Sequence, residues 1–282
     1  MEHKHFDLSG KTAVITGGAG VLGKHMAMTL ASHGARVVVL SRTLSSVESV
    51  ANWIGEAGHQ ALGVSADVTD KDSLEAAKAR INDAFGPVDI LINAAGGNHP
   101  KATTADETFE PESLDDPLKK TFFSLDPDAI DSLINLNYTG TLLASQVFMK
   151  DMVGRKGTTV INVSSMSAYT PLTKIPAYSG AKAAVSNLTQ WMAVHFASSG
   201  IRVNAIAPGF FSTEQNRTLL WNADGTPTAR SGKILSQTPM GRFGEAEELA
   251  GTLLWLTDPD MSGFVTGIVV PVDGGFSAYS GV

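Results

Sequence analysis

KTAVITGGAGVLG, residues 11–23, places a short apolar run directly before a glycine-rich segment. Apolar residues then recur at helical spacing through Gly23–Gly34, and a second apolar run follows at Arg36–Leu40. This order predicts a strand, a helix and a second strand. Because parallel strands need a crossover of this kind, the segment is predicted to form a βαβ unit.

The same alternation continues along the chain. Apolar, β-branched runs predict five further strands, at Gln60–Ser65, Val88–Asn93, Thr159–Ser164, Arg202–Ile206 and Ile268–Val272. Further helices are predicted at about Thr43–Ala57, Asp70–Phe85, Asp128–Val153, Ala177–Ser198 and Glu245–Leu256. The predicted fold class is α/β, a doubly wound parallel sheet with helices on both faces, in one domain over residues 1–282.

Composition excludes several classes of function. The chain has no cysteine, which removes disulfides, thiolate nucleophiles and cysteine-type zinc sites, and its histidines show no metal signature, so no metal is predicted. A net charge of −7 argues against nucleic-acid or anionic-membrane partners. No apolar run approaches the roughly 20 residues of a membrane helix, and no signal peptide is evident, so a cytoplasmic location is predicted.

Gly18, Gly20 and Gly23 match the pattern G-x-G-x-x-G between the first strand and the first helix. Such a loop allows a tight turn, close backbone approach to a pyrophosphate and a helix N-terminus that faces negative charge. The residue that would contact the ribose lies near Ser41 and Arg42, where there is no acid. Arg42 suits a 2′-phosphate, although an ordinary surface arginine explains it equally well.

Tyr178 and Lys182 stand four residues apart on a predicted helix, so they share one face. A neighbouring ammonium stabilises a phenolate, and lowering the phenol pKa from 10 to 7 requires roughly 4 kcal/mol. Ser165, at the end of a predicted strand, could hydrogen-bond the same substrate oxygen. Taken alone, the Tyr–Lys spacing is more typical of an ordinary helix-surface pair.

Over nearly its whole length, however, the chain resembles the short-chain dehydrogenase/reductase family. The matching elements, in chain order, are Thr16–Gly23, Asp67, Asn93–Gly96, Asn137, Ser165, Tyr178, Lys182 and Pro208-Gly209. Two departures are present, since Val21 replaces the usual middle glycine of the loop and Ala94 replaces a common second asparagine.

The resemblance implies a Rossmann fold and an oxidoreductase that uses NAD or NADP. It implies a catalytic tetrad in which Tyr178 exchanges the proton, Ser165 holds the substrate oxygen, Lys182 also binds the nicotinamide ribose and Asn137 holds a water. It also implies a homotetramer. Cofactor contacts are expected from Gly17, Ala19, Gly20, Leu22, Gly23, Ser41, Arg42, Asp67, Val68, Asn93, Ala94, Ala95, Gly96, Tyr178, Lys182, Pro208, Gly209, Phe211 and Thr213.

Two long irregular segments, at about 97–127 and 210–244, follow strand ends and are predicted to form the substrate site. The stretches Gly96–Thr104, Leu172–Pro176, Phe210–Asn216 and Gly274–Val282 are similar to the D-mannonate oxidoreductase (fructuronate reductase) branch of the family. A sugar acid would then contact local groups, for which the candidates are Asn98, His99, Lys101, Lys174, Gln215 and Asn216. The alternatives are another carbonyl reductase, such as a gluconate 5-dehydrogenase or 3-oxoacyl-carrier-protein reductase, and a non-catalytic cofactor sensor.

Overall fold

The sheet has seven strands, all parallel, in the order β3-β2-β1-β4-β5-β6-β7. The structure is a computed structural model that describes residues 6–212 and 220–281. Each predicted strand is present, with ends within two residues of the prediction. The strands are β1 Thr12–Thr16, β2 Arg36–Ser41, β3 Ala61–Ser65, β4 Ile90–Asn93, β5 Thr158–Val163, β6 Ile201–Pro208 and β7 Val269–Val272.

The helices agree with the sequence pattern except in three places, one of which is the four-residue helix Pro259–Ser262, where the sequence predicts none. The predicted helix Asp128–Val153 is interrupted by a π turn, Asn135–Thr139, and a helix at Ala229–Ser236 lies in a segment predicted to be irregular. The helices are α1 Val21–Ser32, α2 Leu44–Glu56, α3 Lys71–Phe85, α4 Pro127–Ile134, α5 Gly140–Phe148, α6 Pro176–Phe196, α7 Ala229–Ser236, α8 Ala250–Thr257 and α9 Pro259–Ser262.

Each face of the sheet has its own apolar core because neighbouring strand residues point to opposite sides. Val14 of β1 packs with residues of α3, α5 and α6, whereas Ile15 packs with residues of α1, α2 and α8. Both residues are fully buried. This arrangement confirms the doubly wound sheet.

The strand order reverses between β1 and β4, since the chain runs outward to β3 and then returns to the other side of β1. The loops after β1 and β4 therefore leave the sheet side by side and in opposite directions. In open α/β sheets, ligands bind in the crevice that opens there, at the carboxyl ends of the strands. Among residues 6–212 and 220–281, no helix is long and apolar enough to cross a membrane.

Candidate active site

The glycine loop after β1 has the geometry of an anion cradle. Gly17 has a φ of +65°, and a Cβ there would lie 2.7 Å from the carbonyl oxygen of Ala94. A Cβ on Gly23 would collide with the carbonyl oxygen of Gly17. Both positions thus require glycine if the loop is to pack against β4 and the first turn of α1.

The N-terminus of α1 is open to a negative group. Gly20 is the N-cap residue and has no side chain to bond the first-turn amides, and the first turn contains no acid. These amides and the helix dipole therefore suit a pyrophosphate. Val21 is the first residue of α1, where the backbone is helical, so the departure from glycine at this position is compatible with the turn.

The loops after β2 and β3 lie next to this cradle. Arg42 is exposed, and its carbonyl oxygen accepts a hydrogen bond of 2.7 Å from the Ser65 hydroxyl. Asp67 accepts hydrogen bonds from the backbone amide and the hydroxyl of Thr69, at 2.9 and 2.8 Å. Val68 is buried against Gly140, where an added Cβ would lie 2.7 Å from the valine Cγ2. Asp67 therefore stabilises its own turn.

Gly96 lies close to two residues of the predicted tetrad. A Cβ at this position would lie 2.6 Å from Asn137 Oδ1 and 3.0 Å from Lys182 Nζ. Asn137 comes from the π turn between α4 and α5, and Lys182 comes from α6. The absence of a side chain at Gly96 therefore leaves space beside the ammonium for a bound group.

Asn93 anchors the end of β4 from inside the protein. Its amide nitrogen donates to Ser145 Oγ at 3.0 Å and to Asn162 Oδ1 at 2.9 Å, and its own Oδ1 is buried without a partner among the described residues. Ala95 donates its backbone amide to Thr16 Oγ1 at 3.2 Å. The sequence patterns gave no indication of the supporting roles of Asn162 and Ser145, because their partners are far apart in the chain.

Asn137 is fully buried and its side-chain amide is engaged. Its Oδ1 accepts from the amide of Gly97 at 3.1 Å, and its Nδ2 donates to the carbonyl oxygens of Gly97 and Leu133 at 2.8 and 2.9 Å. The π turn directs this side chain towards the loop after β4, and such turns are frequent at functional sites. The expected water at Asn137 stays a prediction.

Lys182 is buried beside Tyr178. Its Nζ lies 5.7 Å from the centroid of the phenol ring and donates a 2.9 Å hydrogen bond to the carbonyl oxygen of Val163. Burial lowers the pKa of Lys182 to about 8, since a charged ammonium is disfavoured away from water.

The surroundings of Tyr178 do not lower the pKa of its phenol. Burial raises the pKa of its phenol, and a hydrogen bond with Ser165 opposes this shift without reversing it. The cause is that desolvation of the phenolate outweighs this hydrogen bond. Ser165 is held in turn by Ser167, whose amide and hydroxyl lie 3.1 and 3.0 Å from its Oγ.

The loop after β6 closes the cofactor side of the cleft. A Cβ on Gly209 would lie 2.6 Å from the Cα of Asp273, so Pro208-Gly209 passes close to the end of β7. Phe211 is buried and forms a β-bridge with Gly244. Thr213 lies outside the described residues, as do Gln215 and Asn216.

The other predicted substrate residues already have partners in the protein. Asn98 donates to Thr103 Oγ1 at 2.9 Å, His99 accepts from the amide of Lys101 at 3.2 Å, and the Lys101 ammonium lies 3.4 Å from an Asp126 carboxylate oxygen. Lys174 differs because it lines a cavity of about 280 Å³ between the segment after β4 and the start of α6. That cavity also includes Thr104, Asp106, Glu107, Phe109, Lys120, Leu172 and Pro176.

A phenol, a hydroxyl and a buried ammonium therefore meet beside a loop that fits a dinucleotide pyrophosphate. In the part of the chain that the structure describes, no group of His, Cys, Asp and Glu side chains could hold a metal ion. The family model of the short chain dehydrogenases matches residues 11–223. The chain belongs to this family and is an NAD(P)-dependent oxidoreductase with a Rossmann-type fold.

Individual relatives match almost end to end. An uncharacterized oxidoreductase of Bacillus subtilis, UxuB, is 56% identical over 278 residues, which covers 99% of each chain. A crystal structure from Haemophilus influenza, called a "putative D-Mannonate oxidoreductase" and containing bound NAD, is 51% identical with a TM-score of 0.94, covering 98% of each chain. A gluconate 5-dehydrogenase from Burkholderia cenocepacia, in complex with NADP and tartrate, is 30% identical with a TM-score of 0.81, covering 97% of each.

Proposed function

We propose that the protein interconverts D-mannonate and D-fructuronate, using NAD(H) or NADP(H). The observation that carries this substrate is the end-to-end likeness, at a TM-score of 0.94, to the Haemophilus chain whose designation specifies D-mannonate. The geometry supports the reaction type, because Tyr178, Ser165 and Lys182 converge at one edge of the sheet beside the glycine loop.

Oxidation would proceed with a defined path for the proton. Tyr178, as phenolate, takes the hydroxyl proton of the substrate while Ser165 holds the oxygen and the C=O bond forms. The nicotinamide, when bound, supplies the hydride acceptor, or the donor in the reverse direction. Lys182 stabilises the phenolate and hydrogen-bonds the ribose, and in the reverse direction Tyr178 returns the proton to the carbonyl oxygen.

The carboxylate of the substrate needs a local cation, because a net charge of −7 gives an anion no general attraction. Lys174 suits this role, since it lines the cavity and stands four residues before Tyr178. An ammonium has three protons, and one of them is donated to the carbonyl oxygen of Ala105 at 2.7 Å. The hydroxyls of the sugar acid would bind Asn98, Gln215 and Asn216, with His99 and Lys101 as further contacts.

The test compares D-mannonate with an uncharged polyol of equal length. Wild type, Lys174→Ala and Lys101→Ala are measured, with Lys156→Ala as a matched exposed-lysine control outside the site. Each lost charge-assisted contact should lower kcat/KM for the acid, relative to that for the polyol, by a factor equivalent to about 1.5–3 kcal/mol. Equal turnover of acid and polyol by wild type, or an unchanged preference in both site variants, refutes the sugar-acid assignment.

We further propose that both cofactors are used. Arg42 is exposed beside the ribose position, and neither Ser41 nor Arg42 is an acid that would repel a 2′-phosphate. Arg42→Ala should weaken NADP(H) and leave NAD(H) nearly unchanged, as measured by KM for each cofactor. An equal loss with both cofactors would show that Arg42 does not contact the 2′-phosphate.

Gluconate 5-dehydrogenase activity is the second candidate. It is favoured by the structural likeness to the Burkholderia enzyme, which binds tartrate, another hydroxy acid. Including D-gluconate and 5-ketogluconate in the same panel separates the two candidates by kcat/KM. The homotetramer stays a prediction, which light scattering of the purified protein would check.

A further inference from the structure

Lys174 has an unusual backbone. In residues 6–212 and 220–281 it is the one non-glycine residue with a positive φ, +71°. Side chains other than glycine rarely adopt this conformation, and it persists where surrounding interactions hold it in place. The position lies two residues before Pro176, the first residue of α6, and four before Tyr178.

Two hydrogen bonds from Lys174 reach the same short segment. Its carbonyl oxygen accepts from the amide of Thr104 at 2.8 Å, and its Nζ donates to the carbonyl oxygen of Ala105 at 2.7 Å. Ala105 in turn donates its amide to the carbonyl oxygen of Lys120 at 2.7 Å. Residues 104–105 are therefore held between Lys174 on one side and Lys120 on the other.

This segment forms a wall of the cavity beside the catalytic helix. Thr104 and Asp106 line the cavity from the loop after β4, and Leu172, Lys174 and Pro176 line it from the chain that enters α6. The hydrogen bonds of Lys174 thus fix the distance between the loop after β4 and the chain that enters α6. The remainder of the loop, from Asp106 to Lys120, carries exposed apolar side chains, including Phe109 and Leu118. It contributes little to the buried core.

We propose that Lys174 is a positioning residue that fastens residues 104–105 to the N-terminal end of α6 and so sets the shape of the cavity at that end of the helix. The link joins two parts of the chain itself and is separate from any contact with a carboxylate. It rests on the proposed function only in that this cavity receives the substrate. The same link explains the strained backbone of Lys174. The positive φ lets its carbonyl oxygen reach Thr104 while its side chain reaches Ala105.

The first measurement is amide hydrogen exchange without cofactor or substrate. Lys174→Met keeps the length of the side chain and removes its donor, whereas Lys174→Arg keeps a cationic donor. Exchange at Thr104 and Ala105 should become about tenfold faster in Lys174→Met and stay near wild type in Lys174→Arg. Lys156→Met, an exposed lysine far along the chain from this loop, is the matched control and should change nothing there.

The second measurement is steady-state kinetics with the best hydroxy acid of the panel. Loosening the cavity wall should raise KM for that substrate about tenfold in Lys174→Met while kcat and the cofactor KM stay within about twofold, with recovery in Lys174→Arg. A merely structural defect would lower the active fraction, and therefore kcat, without this selective rise in KM. If Lys174→Met fails to fold, Lys174→Gly serves instead, because glycine accepts the positive φ and also lacks the donor.

The outcomes separate this proposal from the proposed function. Unchanged exchange at residues 104–105 in both the Met and Gly variants overturns the positioning role, even if the preference for the acid over the polyol is lost. Faster exchange with no turnover of any sugar acid supports the positioning role and refutes the proposed substrate. Faster exchange without a rise in KM also overturns the proposal, since the wall would then not shape the substrate site.

Discussion

Tyr178 is the proposed proton carrier, and its hydroxyl bonds with Ser165. Tyr178→Phe should lower kcat by at least about 100-fold, the lower range for a lost general acid–base, and leave the dissociation constant for the cofactor nearly unchanged. Turnover and cofactor binding by fluorescence titration check this. Tyr169→Phe is the matched control, since that hydroxyl bonds the Val269 carbonyl oxygen on an exposed surface. Turnover in Tyr178→Phe above about a hundredth of wild type would contradict the role.

Burial of Lys182 should lower the stability of the fold, because its charged ammonium is held away from water. Its pKa falls from 10.5 to about 8 on folding, a difference worth roughly 3 kcal/mol, so the charged form is disfavoured in the native state. The folded chain releases this proton more readily than the unfolded chain, and its stability therefore rises as pH increases from about 8 towards 10.5. Below about pH 8 both states are protonated and the full penalty applies.

Lys182→Met removes that penalty and should be more stable than wild type at pH 7, although inactive. The gain, up to roughly 3 kcal/mol in the free energy of unfolding, should shrink as pH rises through the range above 8. Urea unfolding at pH 7 and pH 9.5 measures both values. A Met variant that is less stable at pH 7, or whose advantage does not depend on pH, would show that the Lys182–Val163 hydrogen bond outweighs desolvation.

For individual residues, the sequence predicted the positions of the reactive groups better than their pKa values. The spacing of Tyr178 and Lys182 placed both on one helix face, and the structure bears this out. The direction of the Tyr178 pKa shift could not be predicted, because burial depends on how several elements pack and is not visible in local spacing. Likewise, the ion pair of Lys101 with Asp126 joins positions 25 residues apart, which no short motif encodes.

The turn from β1 into α1 sets the position of the whole cofactor cradle. Gly23→Ala places a Cβ against the Gly17 carbonyl oxygen and 2.9 Å from Gly18 Cα, so the first turn of α1 must shift. We expect a loss of about 1–3 kcal/mol in stability and at least about tenfold in cofactor affinity. Gly55→Ala in α2 is the matched control, because nothing lies within 4 Å of its added Cβ, and it should gain about 0.5–1 kcal/mol. Wild-type cofactor affinity in Gly23→Ala would contradict the cradle.

The strands were predictable because each is a short apolar run between loops, a pattern that the burial on both sides of the sheet explains. The break between α4 and α5 was not predictable, since Asn135–Thr139 contains neither proline nor glycine and continues the helical pattern. Its cause is tertiary, because the Asn137 side chain bonds Gly97 in the loop after β4. Helix α7 was missed because polar residues dominate it and only Ile234 and Ser231 are buried.

At the scale of the molecule, the parallel topology brings together residues that are distant in the chain. Gly17, Asn93, Ser165 and Pro208 lie at or just after the carboxyl ends of four strands, and these ends share one edge of the sheet. The order of the motifs along the chain was enough to predict this edge, because a βαβ alternation leaves little freedom in the arrangement of strands. The walls of the cavity that Lys174 lines were not predictable in this way, since they depend on contacts between two irregular segments.

Because the cradle draws on so many strands, cofactor binding should stabilise the entire fold. A ligand that binds only the native state adds about 2.7 kcal/mol at 100 times its Kd, which for a chain of this size corresponds to a rise in Tm of roughly 5–10 °C. Thermal unfolding with increasing NAD should therefore show Tm rising with the logarithm of its concentration. Tyr178→Phe should show the same rise, since the phenol moves the proton and is not needed to hold the dinucleotide, whereas Gly23→Ala should show much less. If wild-type Tm stays constant at NAD concentrations that saturate binding, the cofactor binds a region that unfolds independently of the sheet, and the assembly of the cradle from several strand ends would be wrong.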